Sequence, residues 1–336
     1  MRASDCGAAA LWSLGCYTAA MLRTGAVVFL LTVAAVLPAC HSRRTEIIVF
    51  YASSLTRALG DAVERFERKE PSIRVRLEPS GSQVAVRKVT EHAMPADIVV
   101  TADARLIDKM MVPAHAGFGI TFATNEIVIA HKDHSRFTDE ISTDNWREVL
   151  RRPGVQLGRA DPDTAPIGYH TLMVWQLAEA PDHPGLASAL KGQCAPEHVV
   201  HDEAEILALL ESRSIDYAFL YRSTAEDHHL KTTLLPPELN LGSADRAAVY
   251  AHAGVDIRMN QGGGNSRVQG APITYGVTIP KVAPHPDEAR RLLAFLLGDE
   301  GRTILERRAI RPVVPATCSR CEGIPADLRG MVSSSP

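Results

Sequence analysis

The sequence predicts an α/β protein of two doubly wound lobes, on three observations. Short apolar runs of the buried-strand kind recur from residue 46 onward, and amphipathic helical segments alternate with them. The 336 residues, 46% hydrophobic and 22% charged, hold enough apolar mass for one large core or two ordinary ones. Disordered and low-complexity classes are excluded by that content. A formal charge of −3 advertises no polyanionic partner, so nucleic acid is not expected.

The elements follow in order. EIIVFY (46–51) is a near-continuous apolar run, as a parallel strand buried on both faces requires. Leu55, Leu59, Ala62, Val63 and Phe66 then fall on one face of a helix over 55–66, with Ser53 and Ser54 where it must be capped. IRVRLE (73–78) alternates as a strand, a helix is expected from about Gln83 to His92, and DIVVTAD (97–103) makes a third strand. A second series opens with EIVIAH (126–131) and VQLGRAD (155–161). It continues through helices over 168–180 and 203–213 to the strand DYAFLY (216–221). Residues 259–272, MNQGGGNSRVQGAP, read as a surface loop by composition. ITYGVTIP (273–280) resumes strand character, and one helix over 286–308 packs back on the first lobe. The expected division is 45–124 plus 273–336 for one lobe and 125–272 for the other, with a ligand cleft between them.

The N-terminus reads as an address. GAVVFLLTVAAVLPA (25–39) follows Arg23 and is too short to span a bilayer comfortably. Its basic start, apolar middle and Ala39 fit a secretory signal over 1–39. Leu37-Pro38-Ala39-Cys40 resembles a bacterial lipobox, which makes Cys40 the lipidated residue and the membrane contact a lipid anchor only. Met21 is the tidier translation start. In an oxidising compartment Cys318 and Cys321 are expected to close a small loop by a disulfide, a redox pair being the alternative; a metal-binding CxxC lacks its second pair.

No catalytic signature is present: GxSxG, Walker, HExxH and GxGxxG patterns are all missing. Asp161 and Asp163 sit in a turn composition and read as cap residues. His201-Asp202-Glu203 and Asp227-His228-His229 lack a recognisable metal spacing, so neither a metal nor a cofactor is expected. What recurs is a small or polar residue at a helix start just after a strand: Ser53-Ser54, Ser80-Gly81-Ser82, Ala165-Pro166-Ile167 and, as a fourth, His201-Asp202. Such termini offer N–H groups and a positive dipole end to an anion, although ordinary capping accounts for the same composition. Tyr221 at a strand end adds a phenolic donor.

These segments carry a family resemblance. VFYASSLTRAL, EPSGSQVAVRKVTE with PADIVVTAD, GRADPDTAPIGYHTLMVWQL, SRSIDYAFLYRSTA, LPPELNLGS, and PITYGVTIP followed by LLAFLLGDEGRTIL resemble, in order over about 46–316, periplasmic molybdate/tungstate-binding proteins of ABC importers. The resemblance implies the type II periplasmic-binding-protein fold and a monomeric, extracytoplasmic, non-enzymatic binding protein that serves a permease. It places oxyanion contacts on Ser54 with Ser53 adjacent, on Ser82 and on Tyr221, with backbone donors near Ala165 to Ile167 and Glu203 to Ala204. The branch common in archaea, to which the chain is most similar, adds two carboxylates as direct metal ligands. This chain has Ala165 and Leu220 there, so an intact tetrahedral anion held without side-chain ligation of its metal is expected. Sulfate or another small oxyanion is the alternative ligand. An exported hydrolase using Ser54 or Ser82, with His92 as the nearest base, is the alternative class.

Overall fold

In a computed structural model, which describes residues 44–179, 183–258 and 264–334, the apolar runs assemble into two main sheets. The signal segment, Met21 and Cys40 lie outside the described residues. The strands are β1 (Thr45–Ala52), β2 (Ile73–Ser80), β3 (Ile98–Thr101), β4 (Ile120–Thr124), β5 (Ile127–His131), β6 (Leu157–Ala160) and β7 (Val199–Val200). They continue with β8 (Tyr217–Tyr221), β9 (Lys231–Leu234), β10 (Gly254–Arg258), β11 (Asn265–Gln269), β12 (Thr274–Thr278), β13 (Arg311–Cys318) and β14 (Val332–Ser334).

The first sheet runs β14-β13-β4-β12-β3-β1-β2, with β1 parallel to both β2 and β3. β1 is apolar on both sides because both faces of the sheet are covered. Val49 and Tyr51 join the core that contains Leu55, Leu59 and Phe66 of the Thr56–Lys69 helix and Leu292, Leu293 and Leu296 of the Pro286–Leu297 helix. Phe50 belongs instead to a core with Ala85, Val86 and Val89 of the Ser82–Thr90 helix. The Phe66 and Phe295 rings meet at 5.8 Å, so the C-terminal helix packs on the first lobe.

The second sheet runs β7-β6-β8-β5-β9 and is centred on β8, where Phe219 takes edge contacts from Trp146 and Trp175, both at 5.7 Å. The chain passes from the first sheet to the second between Thr124 and Ile127, and back between Leu234 and Thr274. On the return it forms the separate hairpin β10-β11.

Two sequence expectations are corrected. The single helix over 286–308 is two helices, Pro286–Leu297 and Asp299–Arg307. Gly298 between them has extended backbone (φ −78°, ψ 175°), closing the first helix and starting the second. The loop over 259–272 is strand at Asn265–Gln269: Val268 is buried opposite Val255, and that apolar pair overrides the polar composition. Residues 259–263 lie outside the described residues. Cys318 and Cys321 are disulfide-bonded with Cα atoms 5.5 Å apart, and Cys194 is buried and free.

Candidate functional site

The carboxyl ends of β1, β2, β3, β6 and β8 lead into the segments that meet between the two sheets. Ser53, Ser54, Ser82, Ala165, Ile167, Glu203 and Tyr221, each singled out from the sequence, line one small cavity. Ser80 and Gly81 line it as well. Among its lining residues none is basic, and only Glu203 and Tyr221 can ionise. Larger depressions, such as that of about 510 Å³ between the Thr56–Lys69 and Asp299–Arg307 helices, are surface features lined by charged side chains such as Arg65 and Glu300, which pair with each other.

Both central serines are held from behind. Ser82 Oγ accepts the Ala102 N–H at 2.9 Å, and Ser54 Oγ accepts the Tyr275 hydroxyl at 3.3 Å. A hydroxyl that already accepts keeps its own proton to donate, so both serines are set up as donors. Behind Ser54 the chain of bonds continues. Asn125 Nδ2 donates to the Tyr275 hydroxyl at 3.0 Å and to Ser223 Oγ at 2.8 Å, so donors line up from the crossover segment to the cavity. Ser80 Oγ is buried without a hydrogen-bond partner, a group that a polar ligand would satisfy.

The backbone donors are more restricted than the helix starts imply. Pro166 has no N–H, and the Ala165 N–H closes a turn on the Asp161 carbonyl at 3.2 Å, which leaves Ile167 as the first-turn donor there. At the Glu203–Glu211 helix the Asp202 side chain accepts from Ala204 and Glu205, so the Ala204 N–H is engaged as an ordinary cap. The Glu203 side chain is the larger surprise. It is 2% exposed and accepts from the Tyr221 N–H at 3.1 Å and from the Thr224 hydroxyl at 3.2 Å. Burial pushes its carboxyl up to about 8, against the pull of those two donors. The resemblance had singled out Glu203 for its backbone N–H only; nothing in the sequence marked its side chain as buried where that of Glu205 is exposed.

Tyr221 sits at the end of β8 with its hydroxyl 3.0 Å from His170 Nδ1. Burial keeps the phenol protonated and drives His170 down to about 3, so the ring is neutral. In its Nδ1–H tautomer His170 donates to the phenol, and the Tyr221 proton is then turned toward the cavity. Leu220, by contrast, is fully buried and does not line the cavity. His92 lies past the far end of the Ser82–Thr90 helix, roughly 13 Å along at 1.5 Å per residue, and neither serine has a histidine among its hydrogen-bond partners.

Polar contacts bridge the two lobes around the cavity. Tyr169 donates to Asp103 at 2.8 Å, Gln83 Nε2 donates to the Pro162 carbonyl at 2.8 Å, and Arg308 pairs with Asp227 at 3.1 Å. Burial raises the Asp103 carboxyl, but the charge and hydrogen bonds of Arg105 outweigh it and hold the group at about 2. Gly81 makes the closest approach: a Cβ there would lie 2.2 Å from the Thr164 carbonyl oxygen across the cleft.

The buried titrations set a pH optimum for stability. His170 is depressed from 6.5, so its contribution is present above that value and fades as pH falls toward about 3. Glu203 is raised from 4.5, so its contribution is present below that value and fades as pH rises through about 8. The unfolding midpoint of the ligand-free protein is expected to peak between the two and decline on both sides. The two contributions cancel between about pH 4.5 and 6.5, so each limb outside that plateau amounts to at most on the order of 2 kcal/mol. Thermal melts across pH check this, and Glu203→Gln should remove the alkaline limb alone.

Comparison with known proteins agrees with this fold. The chain is 37% identical over 285 residues to an uncharacterized solute-binding protein of Petrotoga mobilis, covering 84% of this chain and 89% of the relative. It is 35% identical over 289 residues to the molybdate/tungstate-binding protein WtpA of Thermococcus kodakarensis, covering 78% and 80%. The periplasmic molybdate-binding protein of Azotobacter vinelandii shares the fold, with a TM-score of 0.57 at 16% identity over 79% of this chain and 98% of that one. That fold is the two-lobed periplasmic-binding-protein arrangement, as expected. The model of bacterial extracellular solute-binding proteins matches residues 47–308, and such proteins bind substrates for transporters rather than turn them over, which removes the hydrolase alternative. Among the described residues no helix is long and apolar enough to cross a membrane. By this match and these relatives, the chain belongs to the family of bacterial extracellular solute-binding proteins.

Proposed function

We propose that the protein captures molybdate or tungstate as an intact tetrahedral dianion in the cavity between lobes 45–124 plus 273–336 and 125–272. The observation that carries this reading is a buried cavity lined by hydroxyls and helix starts and by no basic residue. Ser54, Ser82 and Tyr221 donate hydroxyl protons, with Ser53 beside Ser54. The first turn after Ala165 contributes the Ile167 N–H, and Glu203 closes the wall. Neutral donors in a dry site stabilise a dianion through short hydrogen bonds without a counter-ion. The relatives that bind molybdate or tungstate support the ligand, and the importer family supports delivery to an ABC permease. The protein works as a monomer held to the membrane by a lipid on Cys40.

Ala165 brings no carboxylate to the cavity wall, Leu220 does not line it, and the one carboxyl that does, Glu203, already accepts from the Tyr221 N–H and the Thr224 hydroxyl, which favours four-coordinate binding. Selection against sulfate, which also offers only acceptors, then rests on cavity size. Calorimetric titration of residues 41–336 with molybdate and tungstate, with sulfate and phosphate as competitors, tests the reading. Tight binding of the two larger anions with sulfate ignored is the expected result; absence of binding to either metal oxyanion overturns it. Leu220→Glu should weaken binding at least about tenfold, because it buries a like charge near the site. Tighter binding in that variant would mean that direct metal ligation had been created.

A further inference from the structure

Asn125 stands in the crossover between β4 and β5, buried, and its side-chain amide uses every polar atom it has. Oδ1 accepts the Glu126 N–H at 2.9 Å. One Nδ2 proton goes to the Tyr275 hydroxyl of the first sheet at 3.0 Å, and the other to Ser223 Oγ at 2.8 Å, on the helix that follows β8. The Glu126 N–H fixes which end of the amide faces those hydroxyls, because a flipped amide would set donor against donor. An amide nitrogen only donates, so the Tyr275 and Ser223 oxygens both accept. Three polar side chains adjoin the Tyr275 phenol: Asn125, Ser223 and Ser54. Burial keeps the phenol protonated, and Ser54 Oγ, at 3.3 Å, receives its proton. Ser54, already accepting, turns its own proton to the cavity it lines. From the crossover to the ligand every proton in this chain points one way.

We infer that Asn125 sets this direction, and that through it the site selects oxyanions carrying no proton over oxyanions of the same charge that carry one. The inference rests on the oxyanion reading above and adds to it the class of anion that Ser54 admits. Asn125 does not line the cavity; it is a positioning residue that acts through Tyr275 and Ser54. Tungstate, molybdate and sulfate dianions offer only acceptors, which match a Ser54 hydroxyl held as a donor. Hydrogen phosphate, also a dianion, brings one O–H, and at Ser54 that proton meets another proton. Turning Ser54 round to receive it would set the serine proton against the Tyr275 proton, and turning Tyr275 as well would set its proton against the Asn125 N–H. Each such clash inside a buried chain costs as much as an unmade hydrogen bond. Hydroxyls rotate and can reverse, but an amide nitrogen cannot accept, so the direction is enforced at Asn125.

Asn125→Asp tests this, because a carboxylate has the shape of the amide and only accepts. It reverses the chain: Tyr275 donates to position 125, Ser54 donates to Tyr275, and lone pairs of Ser54 face the cavity. Calorimetry at about pH 8, where phosphate is mainly hydrogen phosphate and the introduced carboxyl is ionised, measures tungstate directly and phosphate as its competitor. The added charge repels both dianions alike, so the ratio of the two affinities isolates donor direction. Tungstate binding should weaken at least about tenfold, and the preference for tungstate over hydrogen phosphate should narrow at least about tenfold. In a Ser54→Ala background the same substitution should leave that ratio unchanged within about twofold, since the chain then ends before the ligand. Parallel loss of both ligands, or a narrowing that persists without the Ser54 hydroxyl, makes Asn125 a structural residue only. Either result overturns the inference and leaves the oxyanion reading standing, as does unchanged tungstate affinity. Failure of phosphate to compete in the variant at about a thousandfold excess over tungstate overturns it as well. If Asn125→Asp does not fold, Tyr275→Phe cuts the chain in its middle and frees Ser54 to donate or accept. The preference should then narrow by about threefold or more, and an unchanged ratio overturns the inference. Absence of tungstate and molybdate binding to the wild type overturns the oxyanion reading and this inference with it.

Discussion

Gly81→Ala is expected to lower oxyanion affinity about tenfold to a hundredfold while leaving the ligand-free protein nearly as stable as the wild type. The added Cβ would meet the Thr164 carbonyl oxygen at 2.2 Å, its carbon at 2.8 Å and the Ala165 Cβ at 3.1 Å. The first two are backbone atoms of the opposite lobe and cannot swing aside as a side-chain end would. Overpacking of this kind costs roughly 1–3 kcal/mol, and the cleft relieves it by opening. Gly81 itself has φ −63°, which any residue adopts, so the first lobe carries no strain from alanine. Calorimetry beside a thermal melt separates the two effects. Unchanged affinity would mean that the anion is held without the close approach of Gly81 to Thr164.

Ser54→Ala and Ser82→Ala are expected to weaken binding by about 1–3 kcal/mol each, and together by about thirtyfold or more, since both hydroxyls donate to a buried charged ligand in this reading. Each substitution removes a donor to the anion and orphans the group behind it, the Tyr275 hydroxyl in one case and the Ala102 N–H in the other. Ser82→Ala should therefore also destabilise the ligand-free protein by roughly 1–2 kcal/mol, since that N–H is buried. The readout is affinity for molybdate and tungstate with unfolding measured in parallel. Wild-type affinity in both single variants would remove these serines from the site.

Much of the fold was legible because local pattern and tertiary role agree. EIIVFY reads as a doubly covered strand and is one, with Val49 and Tyr51 facing one core and Phe50 the other. The 55–66 periodicity emerges as the buried face of Thr56–Lys69. Agreement fails where one residue decides. The extended backbone of Gly298 splits an otherwise continuous helical pattern, and a buried Val268 makes a strand of a loop-like composition. The site was legible in the same partial way. Helix starts after strands point to Ser53, Ser54, Ser82, Ala165 and Ile167, because the free N–H groups of a first turn are a local property, whereas Glu203 entered only through the family resemblance. Tyr221 followed from its place at a strand end.

By itself, then, the sequence determined which segments are strands and helices, where most of them begin, and which polar groups stand at the strand ends. Those properties depend on residues within a few positions of one another. Tertiary structure alone decided the chain from Asn125 through Tyr275 to Ser54, the lobe contact of Asp103 with Tyr169, the collision space at Gly81, and the burial of the Glu203 carboxyl. The partners in those contacts lie from 18 to 221 positions apart. Burial and hydrogen-bond pairing at that separation depend on how two sheets and their crossovers close on each other, which no local periodicity encodes.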